Sequence, residues 1–123
     1  MKEYKKLIVW QKGIELVKLC YELVKSFPKN EEYGLVSQIK RAAISIPANI
    51  AEANGRNTEG ERRQFLGFAL GSSYELETEL IIASELKMIN PDAINVIFDL
   101  LEEIQKMTAS LIRKTENRLT SKV

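Results

Sequence analysis

The chain is 123 residues long, 45% apolar and 28% charged, with 18 basic against 17 acidic side chains. Such a composition excludes disorder and fibrous repeats and specifies one domain over residues 1–123, able to bury roughly 65 to 70% of its unfolded surface without staples or metals. With no histidine and only one cysteine, Cys20, the chain lacks the means for a zinc site, an internal disulfide or imidazole general-base chemistry.

At the N-terminus, Lys2, Glu3, Lys5 and Lys6 precede a short apolar run from Leu7 to Trp10, too brief for a secretory signal. Trp10, Ile14, Val17, Tyr21 and Val24 then recur at helical spacing, with Leu16, Cys20, Leu23 and Phe27 as a second stripe beside them. Two apolar stripes exceed what one bundle core uses, which predicts self-association. The first helix is expected to end near Ser26, because Pro28 disfavours helical geometry at Phe27. Asn30 is placed to cap a second helix, with Glu31 and Glu32 complementing its positive end. Leu35, Ile39, Ala42, Ala43, Ile46 and Ile50 mark the buried side of that helix. Pro47 falls inside this pattern, where it removes one backbone hydrogen bond and clashes with the Ala43 carbonyl, so a kink rather than a stop is predicted.

Asn54 to Asn57 reads as a turn, with Gly55 in the left-handed position after a helix end. Thr58 and Glu61 have capping-box spacing, and a third helix follows through Phe65, Ala69, Ser72, Leu76, Leu80 and Ala83 to about Leu86. Gly67 and Gly71 in its interior each cost about 1 kcal/mol relative to alanine. Close helix packing is the expected offset, within the fold in preference to between subunits. Asn90 and Pro91 cap and begin a fourth helix, in which Ile94, Ile97, Leu101, Ile104, Thr108, Leu111 and Thr115 form a heptad seam. No segment alternates as a strand does. Short connections between helices specify an all-α fold, an antiparallel up-down-up-down four-helix bundle with helix two kinked near Pro47.

That topology sorts the charges. Both termini and the turn between helices two and three share one end, where residues 1–14, 50–66 and 110–123 carry 11 basic and 5 acidic side chains. The rest of the chain carries 7 basic and 12 acidic. Lys5, Lys6, Lys12, Arg56, Arg62, Arg63, Arg113, Lys114 and Arg118 are the candidate nucleic-acid-binding residues, since clustered cations bind phosphate backbones by releasing counterions. The competing reading is a solvated end whose cations complement the negative pole of helix four; Arg62 and Arg63, at the start of helix three, fall outside it. Aromatic stacking platforms at that end are limited to Tyr4 and Trp10.

Gln38, Arg41, Ser45, Asn49 and Glu52 form a polar stripe on helix two, flanked by the small Ala42, Ala48 and Ala51. In a monomer it is a solvated face; in an oligomer it is a candidate subunit interface with Arg41 and Glu52 paired across the boundary. Glu52 acting as a base near Ser45 would need a pocket and a positioned nucleophile that nothing in the sequence indicates, so catalysis is not expected. Gly55, Gly60, Gly67 and Gly71 do not form a phosphate loop, and the longest uncharged run, the eleven residues from Gln64 to Tyr74, falls short of the roughly 20 that span a bilayer. No metal, cofactor, membrane or small-molecule substrate is expected, and a reducing cytoplasm is the expected compartment.

The run Ser45 to Glu52 (Ser-Ile-Pro-Ala-Asn-Ile-Ala-Glu), preceded by Gln38 to Ala43 and followed by Gly55-Arg56, resembles the signature of four-helix bundle proteins related to the 23S rRNA intervening sequence protein. Val9 to Lys12 and the block Gly71 to Thr78 extend the likeness over roughly residues 4 to 115. Ala53-Asn54 stand where members often carry glycine directly after the Ala-Glu pair, so a longer turn is expected. The resemblance implies a homopentamer of antiparallel bundles without known enzymatic activity, encoded in some bacteria within sequences that interrupt the large ribosomal RNA gene. A related branch, the accessory variability protein of diversity-generating retroelements, looks like the same bundle and binds nucleic acid and a reverse transcriptase through a basic surface. The expectation is therefore a non-catalytic homo-oligomer whose basic end, repeated about a symmetry axis, binds RNA or a nucleoprotein. The alternative is a structural or protein-interaction oligomer with no nucleic-acid role.

Overall fold

A computed structural model describes residues 2–121. Four α-helices account for most of the chain: α1 (Ile8–Val24), α2 (Leu35–Asn54), α3 (Glu59–Glu85) and α4 (Pro91–Ser121), with short 3-10 turns at Glu3–Lys6 and Lys29–Glu31. No strand occurs among the described residues. Each helix touches the next, and α4 closes back on α1. Partner numbers fall on one helix as they rise on its neighbour. Gly13 lies against Pro47 while Tyr21 lies under Lys40; Arg63 meets Glu116 while Glu77 meets Gln105.

The core follows the apolar rows. Ile94, Ile97, Leu101, Ile104, Thr108 and Thr115 of the α4 seam are all buried, with Leu111 half-buried between them. The buried hydroxyls are satisfied locally, Thr108 Oγ1 donating to the Ile104 carbonyl at 2.7 Å and Thr115 Oγ1 to that of Ile112 at 2.6 Å. On α1 the row Val9, Gly13, Leu16, Cys20 and Val24 faces inward and Phe27 continues it, while Trp10, Ile14 and Val17 stay half-buried and Tyr21 lies outside. Cys20 is fully enclosed, and burial pushes its thiol up to about 12.

Gly13 is there for a steric reason. A Cβ at this position would lie 3.1 Å from Pro47 Cβ and 3.4 Å from Pro47 Cδ, so α1 crosses α2 closely enough that even a methyl group would require Pro47 to give way by a few tenths of an ångström. α2 remains helical through Pro47, whose ring is buried at this crossing.

Helix ends depart from the sequence expectations in three places. α1 stops at Val24, two residues before Ser26, and Phe27 N–H donates to the Val24 carbonyl at 3.1 Å as the chain turns towards Pro28. Asn30 does not cap α2. It lies in the preceding 3-10 turn, and Glu31 Oε2 accepts from Leu35 N–H at 3.3 Å instead, because that turn delivers a longer side chain to the helix start four residues on. Gly55 has φ −85°, not a left-handed value; its N–H still reaches the Ala51 and Glu52 carbonyls, so α2 unwinds without reversing hand.

The left-handed residue is Lys87, at φ 60° after α3. Lys87 N–H donates to the Ser84 carbonyl and Met88 N–H to that of Ala83, both at 2.9 Å, which is the Schellman pairing of a helix end. At the other end of α3, Thr58 Oγ1 accepts from Glu61 N–H at 3.1 Å and donates to Glu61 Oε1 at 3.0 Å. Asn90 Oδ1 likewise accepts from Asp92 N–H at 2.9 Å at the start of α4.

Gly67 and Gly71 contradict the expectation of close packing within the fold. Both are exposed, and a Cβ at either would meet nothing within 4 Å. They lie on the outer face of α3, beside the exposed Phe68 and Tyr74. The periodicity of α3 marks its buried row, but it does not reveal which neighbour lies over the remaining faces.

Candidate nucleic-acid interface

Leu7 at the start of α1, Ala53 and Asn54 at the end of α2, Arg62 in the first turns of α3, and Lys114 and Arg118 near the end of α4 line one cavity of about 230 Å³. The start of α1, the α2–α3 turn and the last turns of α4 thus meet at one pole. Most of the predicted cations gather there, and each of the five carboxylates of the corresponding segments has a basic partner. Glu3 pairs with Lys6 at 3.5 Å, and Glu52 and Glu61 pair with Arg56 at 3.4 and 3.8 Å. Glu116 takes Arg63 at 2.9 Å. Exposed pairs of this kind contribute about 0–1 kcal/mol each, so they redistribute charge more than they hold the fold.

Glu59 differs from the others. It begins α3 and is buried, accepting from Arg62 Nη1 at 2.5 Å and from Arg118 Nη1 at 3.4 Å. Burial raises its pKa, but the two guanidinium hydrogen bonds outweigh that and hold the carboxyl below the ordinary glutamate value. One carboxylate therefore ties α3 to the end of α4 and fixes two arginines at the mouth of the cavity. The residue was not singled out from sequence; its only local signal is Arg62 three positions on, and Arg118 is remote in the chain.

Lys12 leaves the cluster. It reaches Glu103 on α4 at 2.7 Å, a hydrogen bond that raises its pKa above the usual lysine value. Arg56 is committed as well, stacking its guanidinium 4.5 Å from the Phe65 ring centroid. Lys2, Lys5, Arg113 and Lys114 have no ion pair among the described residues and form the unopposed part of the positive pole. Lys122, counted with the basic residues of this end, lies outside the described residues. Tyr4 and Trp10 pack edge to face, ring centroids 5.3 Å apart, so they are engaged with each other.

The polar stripe of α2 divides. Ser45 shares a 2.8 Å hydrogen bond with Ser72 of α3, and Asn49 Nδ2 donates to the Ser45 carbonyl and hydroxyl, both at 2.8 Å. These two residues belong to the α2–α3 seam of one chain. Glu52 pairs with Arg56 of the same chain, whereas Gln38 and Arg41 stay exposed. Further along α3, Glu79 is 5% exposed with an Oε1 that has no hydrogen-bond partner. Burial, followed by the like charge of Glu75 and a hydrogen bond with it, pushes this carboxyl up to about 7. Glu79 went unnoticed in the sequence, although it adjoins Leu80 in the buried row.

Residues 5–110 match the family model described as 23S rRNA-intervening sequence protein. The chain belongs to this family. Among solved structures it is similar to a protein of unknown function from the S23 ribosomal protein family of Bacteroides thetaiotaomicron, 26% identical, with a TM-score of 0.80 over 86% of this chain and 96% of that one. No curated protein matches. The family match extends from Lys5 to Ser110, so it takes in the α2 stripe and the start of the pole but stops before Arg113, Lys114 and Arg118. No helix among the described residues is long and apolar enough to cross a membrane.

Proposed function

We propose that this member of the 23S rRNA-intervening sequence family is a non-catalytic homo-oligomer, a homopentamer by family resemblance, that binds RNA through its basic pole. The observation that carries the reading is the group of cations from three separate segments, Lys5, Arg113 and Lys114 without carboxylate partners and Arg62 and Arg118 held by Glu59. Repetition of this pole around a ring gives multivalent contact from modest single sites. The outer face of α3 supports assembly: Gly67 and Gly71 have open space before them, next to exposed Phe68 and Tyr74, and nothing among the described residues accounts for the two glycines.

The S23 ribosomal protein family name of the Bacteroides relative makes structured ribosomal RNA the first RNA class to try. The test joins native mass measurement to RNA retention at two salt concentrations. A fixed assembly whose RNA affinity falls about tenfold or more between 50 and 200 mM salt is expected. The double charge reversal Arg113→Glu, Lys114→Glu should abolish retention while leaving the mass unchanged. Retention insensitive to salt and to both substitutions would overturn the basic-pole mechanism.

A second reading, an interaction oligomer with no nucleic-acid role, is favoured by the basic partners of the five polar-end carboxylates, which consume Lys6, Arg56, Arg62, Arg63 and Arg118. Its signature is a stable assembly with no RNA retention at low salt.

A further inference from the structure

Resting on that RNA reading, we infer that the cavity at the basic pole receives one unpaired nucleotide, its base among the apolar walls and its phosphate on Lys114 and Arg118. The walls come from the bundle core: Ile50 is 1% and Leu66 6% exposed, and both line the cavity together with Leu7 and Leu111. α1 begins only at Ile8, and the 3-10 turn Glu3–Lys6 precedes it, so the end of the core near Lys114 and Arg118 of α4 is left as a cavity instead of being filled by another α-helical turn.

Size and chemistry narrow the occupant. A volume of about 230 Å³ lies below the roughly 300 Å³ at which sites for drug-sized ligands begin. It exceeds the roughly 150 Å³ of an apolar cavity that accepts benzene, so one ring system somewhat larger than benzene fits. Asn54 at the rim carries an amide donor and acceptor on one group, the complement of a base edge, which an alkyl chain would leave without a partner. Arg62, Lys114 and Arg118 line the cavity, and Lys114, which has no ion pair among the described residues, leaves a positive charge for a phosphate. Proteins read RNA chiefly where bases are unstacked and splayed out, in loops, bulges and ends. Tyr4 and Trp10 are packed on each other; a second groove of about 530 Å³, lined by Lys6, Leu7, Leu111 and Lys114, adjoins this cavity but lacks the Asn54 amide and both arginines.

The experiment compares a fluorescein-labelled RNA hairpin carrying a four-nucleotide loop with a blunt duplex of equal phosphate number, by anisotropy on the full chain at 50 mM salt. The hairpin is expected to bind at least fivefold more tightly. Asn54→Ala, an exposed change that leaves the fold intact, should remove at least threefold of that preference, and Ala53→Leu, which fills the cavity, should remove all of it, with duplex binding unchanged in both. Melting curves check that Ala53→Leu folds; if it does not, Asn54→Ala decides. Equal binding of hairpin and duplex, or a hairpin preference untouched by Asn54→Ala, overturns the nucleotide pocket and leaves the basic-pole reading standing. Binding of neither RNA overturns both.

Discussion

The α1–α2 crossing and the outer face of α3 both place glycine inside a helix, for different reasons. At the crossing, Gly13 lets Pro47 approach to a distance at which a methyl group would be crowded, so the propensity lost is returned as contact between two helices. On α3, Gly67 and Gly71 face empty space and return nothing to the isolated chain. A residue that weakens its own helix without serving its own fold points to a surface required for something else, and in the oligomer proposed above α3 is the face to test.

The largest effect expected is at the crossing. Gly13→Leu should cost about 3 kcal/mol in urea unfolding, by forcing α1 away from Pro47. A loss below about 1 kcal/mol would mean that the crossing is loose and the contrast with α3 unfounded. The double substitution Gly67→Ala, Gly71→Ala should do the reverse, stabilising the separated chain by about 1 kcal/mol per site while weakening self-association, read by sedimentation across a concentration series. Unchanged assembly would break the link between open glycines and subunit contact.

Glu79 tests the opposite flank of α3, the one that is dry within the chain. A carboxyl with a folded-state pKa raised to about 7, against 4.5 ordinarily, stays protonated in the fold while the unfolded chain ionises. Stability should therefore be fully present below about pH 4.5, fall as the pH rises towards 7 and level off above it. Glu79→Gln should flatten that segment and add about 1 to 2 kcal/mol at pH 8, seen as a shift in urea midpoint between pH 5 and pH 8. Parallel curves for the two proteins would place Glu79 in contact with water. The smallest effect is expected at Lys87, where the backbone asks for a glycine that is absent: Lys87→Gly should add about 0.5 to 1 kcal/mol by relieving its left-handed φ of 60°. No gain would show that the Schellman turn already tolerates the side chain.

Much of the fold was legible because its information is local. The α4 seam can be read from spacing alone, and its residues are buried where the pattern places them. Thr58 and Asn90 cap as their positions imply, since a cap needs only residues two or three apart. The start of α2 was misplaced because Asn30 is a good capping residue in isolation, whereas a 3-10 turn brings Glu31 to Leu35 instead. The reason for Gly13 was hidden because it depends on which face of α2 lies opposite, and only three-dimensional pairing supplies Pro47. The pole was legible as a surplus of charge but not as a site. Its decisive contact joins Glu59 to Arg118, and no periodicity couples positions so far apart.

Cys20 gives the molecule a reporter of its own opening. Enclosed in the core, with its thiolate form suppressed until about pH 12, it cannot meet an alkylating reagent while the bundle is closed. Every labelled chain is then one that has opened at least around α1, and the rate of iodoacetamide capture relative to a free thiol measures the free energy of that event under native conditions, without adding a probe.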